Sequence, residues 1–311
     1  MPQAEQKTYL APASPVWGTA AHAINYWQWA PQSGRAPRSI LFAVHGLTRQ
    51  GLDFTALAEY LTAQHDVLVV APDVAGRGQS AWLTNPMHYH AGVYAGDLLG
   101  LIAQVQAKQA ARLPLAWLGT SMGGLIAFTA SSLQADFCDK LILNDVGPRL
   151  EWQALTRIGE YLALRMRFAS QDEALAYLQS ISPSFGWHTP EQWHSLNLPQ
   201  IRHVPSDTEL PWHLHYDPAL GALMKSLSPE LVQQQEAMLW AAYDRLAMPT
   251  LVLRGAQSDL LSAETAQEMQ QRGPRAQLVE VPDCGHAPTL MQLKQMQVVE
   301  GFLFPLQSYK G

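Results

Sequence analysis

Short apolar runs alternate along the chain with longer stretches whose apolar positions recur at helical spacing, the pattern of a parallel α/β sheet. The runs predict strands at residues 23–29, 40–45, 67–72, 115–119, 140–144, 250–254 and 277–281. Residues 67–70 and 141–143 are wholly apolar, as strands covered on both faces must be. Between the runs lie helical patterns at 54–64, 88–109, 122–134, 263–272 and 291–304.

The alternation stops between Pro148 and Arg245, a stretch rich in Trp, His, Pro and Gln with no clear strand. It carries helical patterns at 152–168, 173–181, 190–201 and 229–243. Roughly a hundred residues is too long for a plain loop. The pattern predicts a helical cap, residues 148–245, over a core of residues 1–147 and 246–311. A second domain unrelated to the chemistry is the alternative. The insertion follows a strand C-terminus, where α/β sheets bind ligands, and that place favours the cap.

Composition narrows the function classes. Apolar residues make up 48% and charged residues 15% of the 311, so a disordered chain is excluded. Twenty basic against 26 acidic residues give a net charge of −6, which offers no general attraction to nucleic acid or an anionic membrane. The polar start at 1–7 lacks a signal-peptide core, and no apolar run is long enough to span a bilayer. Two cysteines, Cys138 and Cys284, cannot build a disulfide framework. The expectation is a cytoplasmic globular protein, as monomer or homodimer, without nucleic-acid or membrane partners.

The strongest chemical signal is Gly119-Thr120-Ser121-Met122-Gly123, followed by Gly124, placed directly after a predicted strand and opening a predicted helix. A nucleophile must project above the sheet from a sharp turn, and small flanking residues let the chain turn there. The helix start then aims the Met122 amide at a developing oxyanion. A serine needs a base. Of 11 histidines, His286 in Asp283-Cys284-Gly285-His286 is favoured, because it lies in the loop after the last strand, at the same sheet edge as Ser121. For the carboxylate that orients the base, Asp259 after strand 250–254 is favoured, since Ser121, Asp259, His286 is the chain order such sites follow. Asp145, at the end of strand 140–144, is the rival. A second oxyanion donor is expected at Leu47, where strand 40–44 runs into His45-Gly46-Leu47-Thr48. His45 is read mainly as a structural hydrogen-bonding residue under that loop, and is kept as a candidate substrate contact.

Taken together, His45-Gly46, Asp73-x-x-Gly76-x-Gly78-x-Ser80, the turn around Ser121, Arg254-Gly255-x-x-x-Asp259 and Gly285-His286 resemble the landmarks of the α/β-hydrolase superfamily, in its order. The resemblance covers about residues 20–147 and 246–305. It implies the α/β-hydrolase fold, an eight-stranded, mostly parallel sheet flanked by helices with an inserted cap. It also implies acyl-enzyme chemistry on a Ser–His–Asp triad without metal or organic cofactor. Serine at position 121 separates the chain from the dehalogenase and epoxide-hydrolase branches, which use Asp there. A carboxylesterase acting on a small ester with water leads. Lactonase and carbon–carbon hydrolase follow, then acyltransferase, perhydrolase and a ligand-binding sensor on a hydrolase scaffold.

Other features carry less. Gly76-x-Gly78-x-x-Ala81 imitates a dinucleotide fingerprint, but Pro86 follows where a helix would have to open. The pairs His88/His90 and His213/His215 lack metal-site spacing. In the insertion, Trp187, Trp212 and His213 are candidate substrate contacts, with Trp193, His215 and Tyr216 as further aromatic or packing positions. Arg149, Arg157, Arg165, Arg167 and Arg202 are available there, but form no sequence cluster that would single out a carboxylate-rich substrate.

Overall fold

The computed structural model describes residues 4–164, 166–221 and 228–305 of the chain. In chain order it begins β1 (Glu5–Ala11), β2 (His22–Trp29), β3 (Ser39–Val44), α1 (Thr55–Gln64), β4 (Val67–Pro72), α2 (Ala91–Ala107), β5 (Leu115–Thr120), α3 (Met122–Leu133) and β6 (Lys140–Asn144). The insertion carries α4 (Trp152–Ala163), β7 (Arg167–Phe168), α5 (Gln171–Ser180), α6 (Pro190–Asn197), β8 (Ile201–His203), β9 (Trp212–Leu214) and α7 (Pro229–Asp244). The chain then returns through β10 (Thr250–Gly255), α8 (Ala263–Met269), β11 (Gln277–Val281) and α9 (Leu293–Leu303).

Eight strands form one sheet in the order β1-β2-β4-β3-β5-β6-β10-β11. The β1–β2 and β2–β4 pairs are antiparallel and the rest parallel. Alternation along the central strands sends side chains to two cores. Ile40, Phe42 and Val44 of β3 face one, packed with Leu98 and Leu101 of α2 and Ile126 and Phe128 of α3. Leu41 and Ala43 face the other, with Leu57 and Leu61 of α1 and Val299 and Leu303 of α9. A sheet covered on both faces explains why its strands read as continuous apolar runs.

Parallel order carries the functional consequence. The C-terminal ends of β3, β5, β6, β10 and β11 share one edge of the sheet, so the loops that leave them meet there. Trp117, in the middle of β5, links this edge to the core. Its fully buried ring packs against Phe42 and Phe137, and its indole N–H donates to the Gly123 carbonyl at 3.1 Å.

Four strands escape the sequence pattern. β1 pairs only with β2 and is mostly exposed, so it lacks the apolar run that marks a central strand. In the insertion, β7, β9 and β8 form a three-stranded antiparallel sheet of elements only two or three residues long, too short to show a period of two. Two helices therefore stop earlier than the predicted 152–168 and 190–201: α4 ends at Ala163 and α6 at Asn197, just before Leu198-Pro199. Helix starts follow capping chemistry. Ser170, Ser228 and Ser262 accept from backbone N–H groups of α5, α7 and α8, and Thr189 with Gln192 makes a capping box on α6. No helix among the described residues is long and apolar enough to cross a membrane.

Replacing Trp117 by Phe removes the donor to Gly123 but keeps most of the ring. The expected loss is about 1–2 kcal/mol, against about 3–5 kcal/mol for Trp117→Ala, which also opens a cavity. Urea denaturation of both variants measures the two contributions separately.

Candidate active site

The turn from β5 into α3 depends on glycines that have no room for a side chain. A Cβ on Gly119 would lie 2.4 Å from the Gly123 carbonyl carbon, one on Gly123 2.2 Å from the Val44 oxygen, and one on Gly124 2.4 Å from Val146 Cγ1. Without those atoms, α3 starts in contact with β3, β5 and the segment after β6. Ser121 absorbs the resulting bend at φ +52°, a conformation that L-residues with a Cβ avoid. Its N–H donates to the Asn144 carbonyl at 3.0 Å, and its own carbonyl accepts from Gly124 at 2.9 Å.

His286 reaches this serine from the loop after β11. Its Nε2 lies 2.9 Å from Ser121 Oγ and its Nδ1 lies 2.7 Å from Asp145 Oδ2. With Nδ1–H donating to the carboxylate, Nε2 is left to accept the serine proton. The loop is held from several sides. Gly285 N–H donates to the Ser184 carbonyl, Ser184 Oγ to the His286 carbonyl, Gln257 N–H to the Cys284 carbonyl and Asn144 Nδ2 to the Pro288 carbonyl. Ser184 belongs to the insertion, so the insertion helps fix the histidine.

Asp145 directly follows β6 at φ +58° and is fully buried. Its Oδ1 accepts the Gly255 N–H at 2.8 Å, and Oδ2 accepts the Ser258 hydroxyl at 2.6 Å together with the His286 Nδ1–H. Three donors in a dry setting fix the carboxylate rigidly.

The expected carboxylate, Asp259, is elsewhere. Its side chain is 42% exposed and pairs with Arg157 of α4. The reason lies in strand order and in one tight turn. β6 is the immediate neighbour of β5, whereas β10 lies one strand further out. After β10 the chain folds back, with Ser258 N–H bonded to the Gly255 carbonyl at 2.8 Å. That turn directs the Ser258 hydroxyl to Asp145 and leaves Asp259 facing the insertion.

Leu47 lies on the loop after β3 and Met122 opens α3, where the first turn of a helix leaves its N–H without an intrahelical acceptor. A Cβ on Gly46 would be only 3.7 Å from Ser121 Cβ, so this loop passes close beside the serine. The side chain tying the two positions together is one that sequence reading passed over, Arg77. It is fully buried, and its Nε donates to the Leu47 carbonyl at 2.8 Å while one Nη lies 3.3 Å from Met122 Sδ. The other Nη donates to the Ala75 carbonyl and Tyr94 hydroxyl, and the guanidinium carbon lies 4.9 Å from the Tyr94 ring centroid. No acid pairs with it among the described residues. It occupies a variable position of Asp73-x-x-Gly76-x-Gly78-x-Ser80, and an arginine inside that glycine pair was the available signal. Asp73 itself organises the loop, accepting from Gly51 N–H, Gln79 N–H and Asn25 Nδ2.

His45 contributes from below. Its Nε2 accepts the Val74 N–H at 2.9 Å, so Nδ1 carries the proton and donates to the Gly46 carbonyl at 2.6 Å. Both nitrogens are occupied by backbone, which removes it as a polar substrate contact. Burial lowers its pKa from 6.5 to about 3, helped by the Arg77 and Arg49 charges. Cys284 is buried beside the site, and burial with the Asp145 and Asp283 charges raises its thiol to about 11, a poor nucleophile.

The remaining candidates lie in the insertion. Trp187 is 74% exposed and lines a cavity of about 670 Å³ with Trp193 and His194. Trp212 packs edge-on against His203 at 5.1 Å. His213 pairs with Asp207 at 3.0 Å and lines a different cavity, of about 520 Å³. None of the three shares a hydrogen bond with Ser121, His286 or Asp145. Beside the serine is a small cavity of about 40 Å³, lined by Gly46, Thr120, Phe185, Leu196 and Ala287 among others. A cavity of about 570 Å³ lined by Arg38, Ile40, Val67 and Leu115 opens at the opposite, N-terminal ends of the strands, away from this chemistry.

Comparison with known proteins points the same way. A family model described as serine aminopeptidase, S33, matches residues 35–290. A 3-hydroxybutyrate-oligomer hydrolase of Cupriavidus necator is 45% identical over 281 residues, covering 90% of this chain and 92% of that protein. A pimeloyl-[acyl-carrier protein] methyl ester esterase of Xylella fastidiosa is 26% identical over 271 residues, covering 85% and 93%. An α/β hydrolase structure from Novosphingobium aromaticivorans superposes with a TM-score of 0.78 at 28% identity, covering 97% of this chain and 99% of that one.

The folded His45 imidazole takes a proton only near pH 3 and an unfolded one near 6.5, so the unfolded state binds more protons between those values. Stability therefore rises with pH across that window and is lost on acidification from 6.5 towards 3. Between pH 7 and pH 5 this one group is expected to withdraw about 2 kcal/mol. Urea midpoints at the two pH values should fall for the wild type and fall less for His45→Asn, whatever that variant's stability at pH 7.

Proposed function

The chain belongs to the serine aminopeptidase S33 family of the α/β-hydrolase superfamily, and from that premise we propose that it hydrolyses carboxylic esters through an acyl-enzyme on Ser121. The substrate class we assign is a linear oligoester of a short hydroxy acid, on the strength of the Cupriavidus relative. The observation that carries the reading is the hydrogen-bonded relay from Asp145 through His286 to Ser121.

In this reading Ser121 Oγ attacks the ester carbonyl while His286 Nε2 takes its proton. The buried Asp145 carboxylate holds the imidazole tautomer and stabilises the imidazolium. The Leu47 and Met122 amides receive the negative charge on the carbonyl oxygen, held in place by the Arg77 contacts to both residues. His286 then gives its proton to the departing alcohol oxygen. A water molecule, deprotonated by the same nitrogen, attacks the acyl-enzyme, and the proton returns to Ser121 as the acid leaves. Residues 148–245 act as the cap, and their contact through Ser184 makes them part of the histidine's support. Two free, buried cysteines support a reducing compartment.

Hydrolysis of p-nitrophenyl butyrate and of linear 3-hydroxybutyrate dimer and trimer tests the reading. Ser121→Ala should abolish turnover on all three while the melting temperature stays close to wild type. Asp145→Asn should lower kcat by about 10⁴-fold, as the wrong histidine tautomer does in such triads. Asp259→Asn, a change on an exposed ion pair, should stay within about threefold. A collapse in Asp259→Asn with Asp145→Asn still active would return the acid role to Asp259.

A further inference from the structure

Two of the arginines scattered through the insertion are brought to the same place by the small sheet β7-β9-β8. Arg167 on β7, Arg202 on β8 and His213 on β9 all line the cavity of about 520 Å³, whose other walls include Trp82, Met166 and Leu214. Arg165 lies outside the described residues. Two acids, Asp207 and Asp217, lie near these groups, and both are already engaged. Arg167 and His213 share one carboxylate oxygen of Asp207, at 2.8 and 3.0 Å. Asp217, whose charge also reaches Arg202, is occupied by the Tyr89 hydroxyl and the Ala219 N–H.

Arg202 itself forms no ion pair among the described residues. Its guanidinium carbon lies 4.4 Å from the centroid of the Trp82 ring, and its Nε is buried with no hydrogen-bond partner. A buried donor left open is costly and needs a reason. A guanidinium lying against an aromatic face, with a free Nε–H, is a preorganised fork for a carboxylate.

The cavity is mechanically joined to the candidate active site. Tyr216, another of its walls, pairs by backbone with Arg77, while Gly78 N–H donates to the His215 carbonyl and Asp217 N–H to the Gly76 carbonyl. Arg77 in turn contacts Leu47 and Met122. Leu214 and Tyr216 belong to a buried apolar cluster against which Met166, Leu47 and Met122 also pack. We infer that this cavity is a carboxylate subsite, in which Arg202 binds the free acid end of a hydroxy-acid oligoester and Met166 and Leu214 accommodate its aliphatic units. The inference rests on the proposed ester hydrolysis and names the charged end of its substrate.

The test compares linear 3-hydroxybutyrate dimer as the free acid with its methyl ester. In Arg202→Gln the acid-to-methyl-ester ratio of kcat/KM should fall about 10- to 100-fold, mainly through KM for the acid, as expected for loss of one charge-assisted pair. Arg202→Lys, which keeps the charge without the fork, should recover part of the ratio. An unchanged ratio in Arg202→Gln, or equal loss on acid and methyl ester, would overturn the subsite while leaving ester hydrolysis standing. If the wild type cleaves neither dimer, the oligoester reading fails, and calorimetric titration of Ser121→Ala protein with 3-hydroxybutyrate decides the subsite. Binding that disappears on adding Arg202→Gln supports it, and no binding, or binding indifferent to Arg202, refutes it.

Discussion

The structure turns on the close approach of α3 to the sheet. Gly119, Gly123 and Gly124 lack the atoms that would hold the helix away, and the Ser121 backbone takes up the strain in a left-handed conformation. Core packing offsets that strain. Trp117 anchors the Gly123 carbonyl from below, and Ser121 is bonded to Asn144 on the neighbouring strand. Were the helix to relax outward, Ser121 Oγ would lose its 2.9 Å contact with His286 and the Met122 amide would leave its place.

Around that turn, the polar groups are arranged so that few have freedom to rearrange. Asp145 accepts from Gly255, Ser258 and His286, so its carboxylate has one orientation. His45, neutral and bonded at both nitrogens, links Val74 to Gly46 beneath the loop carrying Leu47. Arg77 links the same loop to Met122 from the side, as a buried cation met by carbonyls and tyrosine faces and, among the described residues, by no acid. With no acid paired to it among the described residues, this cation would, in the proposed reaction, set a fixed positive potential beside the position where negative charge develops.

The insertion is structurally continuous with this arrangement. Ser184 braces the His286 loop, Arg49 on the β3–α1 loop donates to the Leu196 carbonyl, and the 215–217 backbone pairs with 76–78. Loops from the core thus gain their rigidity partly from a segment that lies outside the sheet. In the proposed reading, such coupling lets the identity of the inserted segment set substrate fit without altering the chemistry beneath it.

By itself the sequence determined the central strands, the helices between them, the turn at Ser121 and the loop of His286. Those features follow from local periodicity and from glycines that only a tight turn requires. It marked Leu47 and Met122 by their place after a strand and at a helix start. It favoured Asp259 over Asp145, yet both follow strands and both lie between Ser121 and His286 in the chain, so chain order could not separate them. Strand order brings Asp145 to His286, one strand from Ser121, while Asp259 is turned outward to Arg157. The same reason hid Arg77, and the meeting of Arg167, Arg202 and His213, from the sequence. Their neighbours are distant in the chain, and only packing brings them together.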